Sequence, residues 1–398
     1  MERLIRKYLD KLESQGLAKK ENAVFLARDA ELVSSRPLRG DTLQLSKVFD
    51  LMNINSVLFA EPAEPYKSIV QEIIRSSAND EDPRRIVPLD CEMRTFFHDI
   101  PIVEEFSPET IAKALSHRKA AIIKDRGIVT YGVVTPEQAF VSFSSACFSS
   151  FVKYIYDRLI SLQQGASAKT IPGKDGINAF ERIASYTSAF VPDLSPFSLM
   201  EGPAGDEDAI IKMISEAGRA VVTCRLVDSF FGNISYVSDN FLYISQTGSS
   251  LDELESCIDA VPLDGSSSVG ITASSELSAH KQIYYKTGDH AILHGHPRFS
   301  VVMSMHCLKD TCDRDMCHTS CKERREISGI PIVSGEIGRG SSGLMHTVPS
   351  AMKEGNGVLV YGHGVFTSGK GDFRKPFQRL LDIETKCREE YFRLIEHR

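Results

Sequence analysis

Apolar positions recur at helical spacing over residues 2–15, and Gly16 follows as a C-cap. Short apolar runs at 23–27 and 31–34 read as strands, 43–52 as a helix, and 56–59 as the end of another strand. After a polar loop at 76–85 come an Ile-Pro-Ile-Val strand at 100–103, a helix at 108–115, a strand at 120–124 and a long helix over 136–162. Residues 163–205 are richer in Gly, Pro, Ser and Ala and keep no steady period beyond a helix at 179–186, so they read as a connection. The second half predicts a helix at 207–218, a strand at 220–226, and a hairpin over 234–245 turning at Asp239-Asn240. A helix at 275–287, a strand from Ala291, a Cys-rich insertion, an Ile-Pro-Ile-Val strand at 330–333, a helix, a strand and a closing helix from Asp372 complete it.

The two halves look like copies of one pattern. Residues 39–62 lie over 274–297 without a gap, 100–103 over 330–333, and 122–129 over 359–366. In this pairing His294 faces Phe59, His296 faces Glu61 and His363 faces Arg126. A Phe has no lone pair and an Arg brings a repelling charge, so the first copy cannot hold a metal on the same scaffold. The expected organisation is a degenerate domain at 1–162, a linker at 163–205, and a domain at 206–398 that keeps the chemistry.

That chemistry centres on Ala291-Ile292-Leu293-His294-Gly295-His296-Pro297. On a strand, side chains two residues apart share a face, so His294 and His296 point the same way. His363 ends a second apolar run between two glycines. Three neutral nitrogen ligands with one open position describe a catalytic zinc site, or one for another divalent metal. Glu276 stands eighteen residues before His294 at the start of a helix, where it reads either as a cap or as an acid/base beside the metal strand. Three small-residue pairs, Gly232-Asn233, Thr247-Gly248 and Ser274-Ser275, are each ordinary turn chemistry alone. Jointly they supply close-approaching backbone N–H groups and side-chain donors for a phosphate or carboxylate.

Composition changes little. The chain of 398 residues is 42% apolar and 25% charged, with 46 basic against 53 acidic residues and a formal charge of −7. That balance argues against a nucleic-acid partner, and no apolar stretch reaches membrane-spanning length. The N-terminus opens on a charged amphipathic helix rather than an apolar signal core, so the expected location is cytoplasmic, where the nine cysteines are free thiols or metal ligands. Cys307, Cys312, Cys317 and Cys321 fall within fifteen residues, with four, four and three residues between them. No zinc-ribbon spacing matches; a second zinc, an iron–sulfur cluster, or loose free thiols are the open readings.

The ordered set Gly232-Asn233, Thr247-Gly248, Ser274-Ser275-Glu276, His294-Gly295-His296-Pro297, Gly362-His363-Gly364 resembles the class II aldolase/adducin family over roughly 206–391. The resemblance implies an α/β fold, a three-layer αβα sandwich with a mostly antiparallel central sheet, here in two tandem copies. It implies that His294, His296 and His363 ligate zinc, that Gly232, Asn233, Thr247, Gly248, Ser274 and Ser275 hold the substrate's anionic group, and that Glu276 moves the proton. The implied activity is aldolase-type cleavage of a small hydroxy-carbonyl compound, such as a sugar phosphate, through an enediolate. A dehydratase or epimerase of the same family, or a non-catalytic adducin-like interaction protein, is the alternative. It further implies a homo-oligomer, as a dimer completing a pseudo-tetrameric ring or a larger assembly.

Overall fold

The computed structural model describes residues 1–76, 84–163, 173–188, 198–227, 230–266, 269–309, 312, 316–321, 323–336, 340–352 and 357–396. It divides into two compact units, Met1–Val191 and Pro192–Arg398. Part of the expected linker, at 164–172 and 189–197, lies outside the described residues; between them a helix spans Gly173–Ser188, longer than its apolar pattern predicts.

The N-terminal unit has one mixed sheet. Its strands are β1 (Ala23–Arg28), β2 (Leu32–Ser34), β3 (Ser56–Ala60), β4 (Arg85–Ile86), β5 (Ile100–Val103), β6 (Ala120–Ile123) and β7 (Gly127–Gly132), in the order β2-β1-β3-β7-β6-β5-β4. Only β5 and β6 run parallel. Strand alternation sorts the side chains by face. Val57, Phe59 and Val129 meet Leu45, Val48 and Phe49 from the short helices Asp41–Ser46 and Val48–Leu51, and Ile111 and Leu115 from helix Pro108–Leu115. The other face carries helix Pro136–Gln163, tied down where Thr130 Oγ1 donates to the Ala139 carbonyl at 2.7 Å. The predicted helix over 43–52 is thus two short pieces joined at Lys47.

Asp99 is buried and receives a two-pronged hydrogen bond from Arg118, at 2.6 Å from Nε and 2.8 Å from Nη2. The Arg118 bonds hold its carboxyl below the usual range against the opposing effect of burial. A depressed carboxyl stabilises the fold above its unfolded pKa of ~3.9, and that stability is lost as pH falls through the folded value. Asp99→Asn is therefore expected to cost about 2 kcal/mol at neutral pH. Urea midpoints of parent and variant should differ at pH 7 and converge in acid; an unchanged midpoint at pH 7 would discount the pair.

In the C-terminal unit the strands are β8 (Asn233–Ser238), β9 (Phe241–Ser245), β10 (Ile258–Pro262), β11 (Ala291–Gly295), β12 (Arg325–Ile327), β13 (Ile330–Val333), β14 (Gly357–Val360) and β15 (Gly364–Gly369). Their order is β10-β9-β8-β11-β15-β14-β13-β12, with β13 and β14 the one parallel pair. Apart from the additional edge strand β10, this is the order of the first sheet. The ladders agree residue by residue: Phe59 pairs with Val129 as His294 pairs with Phe366, and Ile102 with Ile122 as Ile332 with Leu359. The tie to the flanking helix is also repeated, Thr367 Oγ1 donating to the Pro376 carbonyl at 2.9 Å.

One sheet face is covered by helices Leu277–Thr287 and Leu344–Met352, whose Ile283, Val348 and Met352 pack on Ile292, Val358 and Phe366. The opposite face carries helix Arg374–Glu396. The strand expected at 220–226 is instead the end of helix Glu207–Thr223. Ala220, Val221 and Val222 continue the buried face of Met213, Ile214 and Ala217, and tertiary packing overrides their β-branched preference.

Candidate metal centre

β11 ends in the His-x-His pair, and its alternation sends His294 to the helix-covered face that also holds Ile292 and Phe366. The His294 ring stacks on Phe366 with centroids 4.0 Å apart and planes at 15°. His363 reaches the same point from the turn between β14 and β15, where Gly362 has φ +58°. All three histidines are buried. His294 Nε2 stands 2.8 Å from His296 Nε2 and 3.1 Å from His363 Nε2. Neutral nitrogens around a tetrahedral ion with ~2.05 Å bonds stand ~3.3 Å apart, so this spacing suits a shared cation. His294 Nδ1 donates to the Val365 carbonyl at 3.0 Å, which fixes the tautomer and leaves Nε2 as a lone pair. Burial pushes the His294 pKa well below its ordinary value, keeping it neutral as a ligand must be. The donor set fits a divalent ion such as zinc. Among the described residues it is also the single convergent group of three or more His, Cys, Asp or Glu ligand atoms.

Close backbone approach makes this possible. A Cβ on Gly364 would lie 2.4 Å from the Gly295 carbonyl oxygen and 2.7 Å from His296 Cδ2. Gly127, its counterpart in the first sheet, would place a Cβ 2.3 Å from the Ala60 oxygen. The strand crossing demands glycine in both units, with or without ligands.

Glu276 caps helix Leu277–Thr287 and is buried beside the trio. Its Oε1 lies 3.0 Å from His363 Nε2 and its Oε2 lies 3.4 Å from His294 Nε2. Burial raises its pKa, while the hydrogen bonds with His363 and the Asn233 amide lower it and favour the carboxylate form. Asn233 Nδ2 donates to Glu276 Oε2 at 2.9 Å, while its Oδ1 faces His280 Nε2 at 2.5 Å. His280 Nδ1 in turn lies 2.6 Å from Ser235 Oγ. Burial lowers His280 to about 4. A neutral ring then donates through Nε2 to Asn233 and accepts from Ser235, one consistent chain of donors ending on the carboxylate. Sequence reasoning missed His280 and Ser235; the i, i+4 spacing of Glu276 and His280 was the available signal.

The expected anion loops are only partly free for a ligand. Both ends of the Asn233 amide serve Glu276 and His280. Gly232, with φ +130°, could not carry a Cβ, which would stand 2.7 Å from the His294 carbonyl oxygen. The other two loops lie side by side: Thr247 N donates to the Thr272 carbonyl, Ser274 N to the Ser245 carbonyl, and Gln246 bridges Ala273. Thr247 Oγ1 donates to the Ala273 carbonyl at 2.9 Å. Ser274 Oγ accepts from Glu276 N at 3.3 Å. Ser275 is exposed and Gly248, at φ +73°, has open space around it.

Cys307, Cys312, Cys317 and Cys321 form no disulfide, Cys317 is buried and the others half-buried, and among the described residues they do not make up a convergent group of ligand atoms. Glu384, on the closing helix, accepts from Phe299 N, Ser300 N and Ser300 Oγ at 2.7–2.9 Å. It thereby anchors the helix Arg298–Met305 that begins two residues after His296. In the N-terminal unit Phe59 and Glu61 occupy the counterpart positions of His294 and His296, and Arg126 pairs with Asp41 where His363 meets Glu276.

No helix among the described residues is long and apolar enough to cross a membrane. Residues 212–391 match the Class II Aldolase and Adducin N-terminal domain family. Similar solved structures include L-fuculose-1-phosphate aldolase from Thermus thermophilus, 23% identical, covering 47% of this chain and 93% of that one, with a TM-score of 0.36. A sugar-phosphate aldolase from Thermotoga maritima is 18% identical, with coverage of 47% and 95% and a TM-score of 0.35. The N-terminal class II aldolase domain of a conserved protein from Thermoplasma acidophilum is 13% identical, with coverage of 46% and 95% and a TM-score of 0.33. No curated protein matches the chain. The match to the class II aldolase and adducin family thus falls wholly within the C-terminal unit, Pro192–Arg398.

Proposed function

We propose that the C-terminal unit is a metal-dependent aldolase-type lyase acting on a small hydroxy-carbonyl compound with an anionic group, and that the N-terminal unit is a non-catalytic copy of it. The observation that carries this is the meeting of His294, His296 and His363 with the Glu276 carboxylate 3.0 Å from the third ring. A divalent cation held by the three Nε2 atoms supplies Lewis-acid polarisation of neighbouring hydroxyl and carbonyl oxygens. Glu276 exchanges the proton, its carboxylate oriented by Asn233, which His280 and Ser235 hold in turn. The substrate's charged group is received at Gly248 and Ser275, through their backbone N–H groups and the exposed Ser275 side chain, the Thr247 and Ser274 N–H groups being bonded to carbonyls. The non-catalytic reading of the N-terminal unit rests on Phe59, Glu61 and the Asp41–Arg126 ion pair at the corresponding positions.

The expected result is one divalent ion per chain by elemental analysis and release of an aldehyde from at least one member of a panel of sugar phosphates and hydroxy-keto acids. Loss of water or inversion of a carbinol without chain cleavage would replace the lyase by a dehydratase or an epimerase. A metal-loaded protein inert towards the whole panel would count against catalysis. We further propose a cytoplasmic homo-oligomer; a monomer by light scattering at micromolar concentration would exclude the ring.

A further inference from the structure

At the opposite ends of β11 and β15 from the histidines lies a cleft of about 880 Å³, within the range of small-molecule sites. Five cations line it, Lys286, Lys370, Arg374, Lys375 and Arg379, against two acids. Both acids are already engaged: Asp289 accepts from Ser368 Oγ at 2.6 Å, and Asp372 from Arg374 and Gly202 N. Arg374 also reaches Glu201 at 3.1 Å, and Lys286 Nζ donates to Ser350 Oγ. Lys370 and Lys375 are exposed and have no ion-pair or hydrogen-bond partner among the described residues. The first turns of the 23-residue helix Arg374–Glu396 form one wall, so the positive end of its dipole faces the cleft.

The other sheet provides an internal control. Carrying the ladder register across, Lys286, Lys370, Arg374, Lys375 and Arg379 fall on Leu51, Val133, Glu137, Gln138 and Ser142. The Thr–carbonyl tie between strand and helix is the same in both units, and of the five cations Arg379 also bonds the strand backbone, its Nη1 donating to the Ser368 carbonyl at 3.0 Å. Five like charges around one concavity repel one another, in a chain whose formal charge is −7. The two lining carboxylates and Glu201 offset only part of that charge and leave the cleft net positive.

We propose that this cleft binds a small molecule bearing two or more phosphate charges, as a site separate from the metal centre. Lys370 and Lys375 supply the unpaired ammonium groups, and the helix N-terminus adds its dipole. The inference does not depend on the lyase reading, because it uses none of the metal-site residues.

Inorganic pyrophosphate is the probe, titrated calorimetrically into the full chain at low salt, with and without prior chelation of the metal. Binding is expected in both states, weakening as salt is raised. The double variant Lys370→Glu/Lys375→Glu should weaken it at least about tenfold, with metal content and circular dichroism unchanged. Lys370→Gln/Lys375→Gln should give an intermediate loss and guards against misfolding of the charge-reversed chain. Binding that vanishes on chelation yet survives both double variants would place pyrophosphate at the metal centre and overturn the proposal. Absence of binding to the parent chain would do the same.

Discussion

His363→Ala is expected to strip the protein of its metal: stoichiometry should fall from one ion per chain to near zero, and activity with it. His363 is one of only three nitrogen donors, and it comes from a turn rather than from the His294 strand. Its loss leaves two nitrogen ligands in a buried space, with the Glu276 carboxylate beside them. Changing a group that merely orients a ligand costs roughly 10–100-fold in affinity, so deleting a ligand should exceed that. The variant also removes the closest partner of Glu276, at 3.0 Å, leaving a buried carboxylate with less compensation. A chromophoric chelator titrated against parent and variant reads the affinity directly. Equal affinities would mean that the ion, if any, is held elsewhere.

Much of this arrangement was legible in the chain before any coordinates. The twin Ile-Pro-Ile-Val runs and the gapless pairing of 39–62 with 274–297 align residues that hold equivalent ladder positions in the two sheets, Phe59 opposite Val129 and His294 opposite Phe366. The hairpin turn at Asp239-Asn240 was equally plain, with Asp239 at φ +51°. What failed to show was chemistry assembled across long separations. Glu384 anchors a helix some 84 residues before it, and Asn233 joins His280 across 47. Neither has a spacing that periodicity could detect. The basic cleft is similar: Lys286 is distant in sequence from Lys370 and Lys375, and only the antiparallel return of β15 beside β11 brings them to one rim. Misjudging 220–226 has another cause, since a β-branched run looks the same whether it ends a buried helix or starts a strand.

Glu276→Gln carries the second large effect: turnover should fall by about 10²–10⁴-fold while the metal stays bound. The substitution keeps the shape of the side chain and its position at the head of helix Leu277–Thr287. Its oxygen can still accept from Asn233 Nδ2, so the Ser235–His280–Asn233 chain stays intact. What disappears is the ionised oxygen beside His363, the atom placed to take or return a proton. Because the three imidazoles are untouched, metal content should match the parent, unlike in His363→Ala. A catalytic role predicts a loss in kcat with little change in metal affinity; a structural role predicts loss of both. Unimpaired turnover in the metal-loaded variant would remove Glu276 from the mechanism and leave proton transfer to a group outside this cluster.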